Sequence, residues 1–167
     1  MDVGLLIARS VFGLLLAAHG CQKLFGWFGG PGLRRTATFF ETLGFHPGRL
    51  FVVAAALGEC GGGIFLALGL FQPASAAAVI SVMTVAIATV HWGHGLLAPD
   101  GIEHPFLYLA TALSLALTGP GAYSLDAVLG LTDWWTSQVT AIALGTGVLG
   151  GILSLGFRRA GTAVAHA

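Results

Sequence analysis

Long apolar runs separated by short polar or glycine–proline breaks give the chain its outline. Five runs stand out, at residues 3–24, 50–71, 74–92, 104–118 and 137–157. A hydrocarbon core about 30 Å thick asks for about 20 helical residues, so the fourth run is short for a span. Gln72-Pro73 makes a tight turn, which sets the second and third spans side by side and antiparallel. A different pattern follows the first span. Leu33, Ala37, Phe40 and Leu43 recur at helical spacing, with Arg34, Arg35, Thr38 and Glu41 opposite. This stretch, about 33–44, is too short and too polar to span. It reads as a helix lying in the membrane interface, with a solvated loop helix as the alternative. In the fifth run, Gly147 and Gly151 have the small-xxx-small spacing of a helix contact, made either to this chain or to a second copy.

Composition agrees with the pattern. Of the 167 residues, 56% are hydrophobic and 8% charged, against about 25% charged in a soluble domain. The net charge is zero, which gives nucleic acid no purchase. The first run has no basic segment before it and is interrupted by Arg9, so it is expected to stay as a helix and not to be cleaved as a signal peptide. Leu16 to Cys21 superficially suggests a lipoprotein cleavage site, but His19 fits that poorly. The expected fold class is all-α: a polytopic membrane bundle, with a four-helix core over 1–130 and a fifth transmembrane helix with a short tail over 131–167. With five spans, Arg34, Arg35, Arg49, Arg158 and Arg159 fall on one side, with Lys23 at its edge. The positive-inside rule then puts the N-terminus outside and the C-terminus in the cytoplasm.

Glu59 is the only charge in the second run, and an ionisable group at that depth is expensive unless it faces protein or water. Ala55, Ala56, Gly62 and Gly63 share its helix face, so neighbouring helices can come close and Glu59 is expected to point inward. His19 and Lys23 near the end of span one, His91 and His94 at the end of span three, and Glu103 and His104 at the start of span four lie toward the same end. Taken by residue rise, Arg9 comes within about 7 Å of Glu59 in depth, which makes an Arg9–Glu59 ion pair the expected way to keep both charged. By the same arithmetic Cys21 and Cys60 differ in depth by about 9 Å, and no disulfide between them is expected. No metal site is expected, since two histidines at 91 and 94 do not make one. A bis-histidine haem between His19 and His91 is disfavoured, and no intrinsic cofactor motif is visible.

Several of these segments resemble a known family. His19-Gly-Cys-Gln-Lys23-Leu-Phe-Gly26-Trp27-Phe-Gly-Gly30, the acidic glycine-rich stretch Gly58-Glu59-Cys-Gly61-Gly62-Gly63, His91, the loop Gly101-Ile-Glu103, and Gly119-Pro-Gly-Ala-Tyr123-Ser-Leu-Asp126 are similar to the pattern of the DoxX family over about residues 4–130. The resemblance implies a four-helix membrane core and says nothing of span five. It also implies kinship with the small membrane subunit of thiosulfate:quinone oxidoreductase and with membrane partners of oxidative-stress complexes. It supplies no catalytic residue. The absence of a C-x-x-C pair speaks against thiol–disulfide catalysis.

The expected function is therefore an inner-membrane subunit of a bacterial redox complex that takes a quinone or similar lipophilic ligand, with electrons from a partner subunit. His19, Lys23, Glu59 and His91 are the candidate ligand-binding or proton-relay residues. A non-catalytic anchor or assembly factor, docking a soluble partner through Arg34 and Arg35, is the alternative. A small-solute or lipid carrier comes third, because no inverted repeat is visible.

Overall fold

A computed structural model of the chain describes residues 1–159. Helix α1 covers Asp2–Phe25, α2 Gly32–Thr42, α3 Gly48–Leu68, α4 Gln72–Ala86, α5 Glu103–Thr118, α6 Leu125–Val128 and α7 Ser137–Leu155. Helix α4 continues without a break into one π-helical turn, Ile87–His91. The ends follow local chemistry. Asp2 in the first turn of α1 and Lys23 in its last turn both suit the helix dipole. Gly26 at φ 73° closes α1 and Gly69 at φ 63° closes α3, a left-handed conformation that costs glycine little. Ser124 and Thr136 accept hydrogen bonds from the first-turn amides of α6 and α7.

The all-α membrane bundle expected from the sequence is what the chain forms. Among the described residues four helices are long and apolar enough to cross a membrane: α1, α3, α4 with its π turn, and α7. Helix α5 has 16 residues, about 24 Å at 1.5 Å rise each. It still carries the chain from the loop beside His91 to the turn beside Arg9, at opposite ends of the bundle. Helices α1, α3, α4 and α5 make the core, α7 packs on α4, and α2 packs on α3. Residues 158–159 return to the end where α2 lies: the Arg159 amide donates to Gly44 O at 2.9 Å, and Arg158 Nε donates to Leu43 O at 2.9 Å. The remainder of the tail lies outside the described residues.

Glycines decide how the helices meet. A Cβ on Gly13 would stand 2.5 Å from Gly63 O, and one on Gly20 would stand 2.7 Å from Ala56 O and Cys60 N. Helices α1 and α3 are thus in backbone contact at two levels two turns apart. Gly62 faces the other way, toward Ala78 and Val79 of α4. Gly147 and Gly151 of α7 seat on Ala77 and on Ser81 and Thr84. The glycine face of the fifth span is therefore buried against this chain's own α4, resolving the choice left open by the sequence. Large apolar side chains such as Leu14, Leu57, Leu117 and Leu149 point outward, as lipid-facing positions must.

A polar knot ties the end of the bundle remote from α2. Arg9, only 2% exposed, donates Nε to Ala67 O at 3.2 Å and its two terminal nitrogens to Pro120 O and Tyr123 O. Asp126, fully buried, accepts from the amides of Phe71 at 2.8 Å and Gln72 at 3.0 Å and from Trp135 Nε1 at 2.9 Å. Phe71 holds a left-handed φ of 48°, which a non-glycine residue adopts at a cost of about 1–3 kcal/mol. The Asp126 carboxylate offsets that cost while capping α4.

The seam predicts a graded response to added bulk. Gly20→Val should destabilise the bundle by at least about 1–3 kcal/mol through overpacking. Gly61→Ala, whose Cβ meets nothing within 4 Å, should be nearly neutral. Unfolding of the detergent-solubilised protein in denaturant measures both; equal midpoints for the two variants would contradict the backbone contact.

Candidate functional site

The carboxylate expected to point inward does so. Glu59 is 3% exposed, and both of its oxygens accept hydrogen bonds from Lys23 Nζ. The expected Arg9–Glu59 pair is not formed: Arg9 is spent on the polar knot, and Lys23 takes its place. The cause is helix register. The contacts of Gly13 and Gly20 put Cys60 level with Gly20 and Ala67 close to the level of Arg9. Ala67 lies eight residues beyond Glu59, about 12 Å along α3, so Arg9 is out of reach. Lys23 starts a turn beyond the level of Glu59 and reaches back, because helical side chains lean toward the N-terminus.

The same register corrects the reading of the cysteines. Cys21 Sγ and Cys60 Sγ lie 3.7 Å apart, where residue counting from the span ends placed them at different depths. Both are free thiols and both are half-buried.

Lys23 and Glu59 stand on the wall of a cavity of about 460 Å³ at the basic end of the bundle. All four residues singled out from the sequence, His19, Lys23, Glu59 and His91, line it. Helix α2 supplies Phe39 and Phe40, α3 supplies Phe51 and Ala55, and α4 supplies Val82 and Val85. The π turn brings Thr89, Val90 and His91 to the same space; such turns recur at functional sites. His91 Nδ1 donates to Asp100 O at 2.8 Å, which leaves Nε2 as the free acceptor. His19 Nδ1 lies 3.1 Å from Gln22 Oε1, and its ring meets Tyr108 edge-on at 5.8 Å.

Other residues counted toward this end do not join the cavity wall. Glu103 accepts from the Leu97 amide at 3.1 Å and lies 3.8 Å from His104 Nδ1, tying the loop together. The aromatic wall of Phe39, Phe40 and Phe51 was invisible as a site because its spacing is that of ordinary apolar faces. The π turn has no sequence signal at all. Chemically, the cavity offers a hydrophobic chamber with one ion pair and two imidazoles, which is the composition of a site for an apolar ligand carrying a few polar atoms.

A family model covers the stretch from α1 to the end of the π turn, and with it the HG…KLFG segment at the end of α1 and the buried Glu59. DoxX matches residues 4–92. The chain belongs to the DoxX family. Curated DoxX relatives include the putative oxidoreductase CatD of Bacillus subtilis (strain 168), 31% identical over 127 residues, which are 75% of this chain and 86% of that protein. Inner membrane protein YqjF of Escherichia coli (strain K12) is 29% identical over 130 residues, 77% of this chain and 93% of that protein. No solved structure matches the chain.

Removing one member of the buried pair should cost more than removing both. Lys23→Met strands the Glu59 carboxylate and should lower stability toward the lower end of about 3–5 kcal/mol, since the Lys23 side chain keeps 27% exposure. Adding Glu59→Leu to it should restore most of the loss. Denaturant unfolding of the single and double variants gives the coupling; a double variant no better than Lys23→Met would show that the pair does not bury charge as described.

Proposed function

We propose that this protein is an inner-membrane subunit of a bacterial redox complex and that its cavity takes a quinone or a similar lipophilic, carbonyl-bearing ligand. The observation that carries this reading is the convergence of His19, Lys23, Glu59 and His91, from three separate helices, on one apolar chamber. A quinone headgroup needs donors or proton-exchanging groups at its carbonyl oxygens and an apolar crevice for its tail. Lys23 Nζ is a donor to one oxygen, and His91, fixed through Nδ1, presents Nε2 to exchange a proton. Glu59 stands beside them, ion-paired with Lys23, as the candidate proton acceptor. The volume of about 460 Å³ falls within the range of about 300–1,000 Å³ typical of small-molecule sites. Electrons come from a partner subunit, because the chain carries no cofactor motif.

The relatives' names point the same way: one is called a putative oxidoreductase and the other an inner membrane protein. On this reading the protein sits in the bacterial inner membrane. The end bearing Arg34, Arg35, Arg49, Arg158 and Arg159 faces the cytoplasm, and the N-terminus of α1 faces outward. Arg34 and Arg35 are exposed on α2, which favours the second reading, a non-catalytic anchor that docks a soluble partner there.

Binding of decylubiquinone to the protein in nanodiscs, followed by calorimetry, separates the two readings. Glu59→Gln and His91→Ala should each weaken binding at least about tenfold, equivalent to 1.4 kcal/mol, while the Arg34→Ala/Arg35→Ala double variant leaves it unchanged. Binding that is absent, or indifferent to Glu59 and His91, would sink the ligand reading and leave the anchor.

A further inference from the structure

Two thiols sit outside the proposed ligand site. Cys21 of α1 and Cys60 of α3 face each other across the helix seam at 3.7 Å, and neither lines the cavity. They look the other way. Cys21 shares its helix face with Leu14 and Phe25, which are 61% and 59% exposed. Cys60 shares its face with Leu57 and Ile64, 58% and 41% exposed. The half-buried thiol pair therefore lies at the outer edge of the seam, four residues from the end of α1, about 6 Å below the helix terminus.

We propose that Cys21 and Cys60 form a peroxide-oxidisable dithiol, reached from the bilayer by lipophilic hydroperoxides and closing into a disulfide between α1 and α3. Two independent features favour closure. The sulfurs are already in contact, 3.7 Å apart. The backbones are also close, because Gly20 next to Cys21 would place a Cβ only 2.8 Å from Cys60 Cβ. Close backbones on the two sides are what a disulfide between helices requires. A metal is a poorer occupant: among the described residues no group of three His, Cys, Asp or Glu side chains gathers to hold one.

The chemistry balances within the pair and its oxidant. One thiol loses its proton, and its sulfur attacks the outer oxygen of the hydroperoxide. The S–O bond forms, the O–O bond breaks, and the alkoxide takes up the proton and leaves as an alcohol. The second sulfur then attacks the sulfenic sulfur. The S–S bond forms, the S–O bond breaks, and water leaves carrying the second thiol's proton. Two thiols give up two electrons, and one O–O bond is reduced. Closure covalently joins α1 to α3 on the side opposite the Lys23–Glu59 pair. This inference does not depend on the quinone reading.

Reduced protein in nanodiscs treated with one equivalent of cumene hydroperoxide, then probed with a thiol-reactive maleimide, tests it. Wild type should lose both alkylatable thiols and regain them with dithiothreitol. Mass spectrometry should find the Cys21 and Cys60 peptides joined within one chain. Cys21→Ser and Cys60→Ser should each stop at a sulfenic acid that dimedone traps. Wild-type thiols that stay alkylatable, that oxidise without joining, or that join only between chains would overturn the proposal. The wild-type measurement stands even if a variant fails to fold.

Discussion

Charge in hydrocarbon has to bring its partner with it, and that constraint shapes both ends of this bundle. A single ionised side chain at mid-membrane costs about 2.5–3.5 kcal/mol on insertion scales. Among the described residues three charged side chains are buried, Arg9, Glu59 and Asp126, and each of them has protein partners. Glu59 meets Lys23. Arg9 spends its donors on three backbone carbonyls freed where helices end or turn. Asp126 is met by two amides at the start of α4 and by the Trp135 indole from the turn before α7. The two arrangements differ in kind. Arg9 and Asp126 satisfy backbone groups that the turns would otherwise leave bare, so they hold the fold. The Lys23–Glu59 pair satisfies no backbone group, and it stands on a cavity wall.

Close packing and empty space arise from the same helices. Along the α1–α3 seam, Gly13, Gly20 and Gly63 remove side chains and bring backbones together. Farther toward the basic end, α2 sets Phe39 and Phe40 over the bundle, and the π turn widens the end of α4. The helices do not close on one another at that end as they do along the seam. A chamber results, and its polar wall is fixed by the ion pair at the place where the close seam stops.

Much of this was legible in the sequence, for reasons that can be stated residue by residue. Hydropathy gives the spans directly, because every backbone polar group in lipid must be satisfied within a helix. Glu59 was readable as inward because the penalty for the other orientation is large. Ala55 and Ala56 were readable as small, and Ala55 now lines the cavity. Helix α2 was visible in the spacing of Leu33, Ala37, Phe40 and Leu43. What the sequence withheld was register. Counting residues from span ends assumes flush helices, but Gly20 seated on Ala56 and Cys60 sets the offset. That single offset turns the expected Arg9–Glu59 pair into Lys23–Glu59 and brings Cys21 beside Cys60. Asp126 showed only as part of a family-like segment, since its role is to bond amides 54 and 55 residues away.

Neighbouring residues on α3 thus face two different media. Glu59 turns to the cavity, and Cys60, about 100° further round the helix, lies beside Cys21 next to the lipid. A carboxylate in the cavity is reached by whatever occupies the chamber. A thiol on the outer seam is reached by whatever dissolves in the membrane. The wall between them is the glycine-packed α1–α3 contact, too tight to admit a ligand from one side to the other. The proposed ligand site and the proposed thiol pair would therefore lie on opposite sides of one backbone seam, and both would depend on the relative position of α1 and α3.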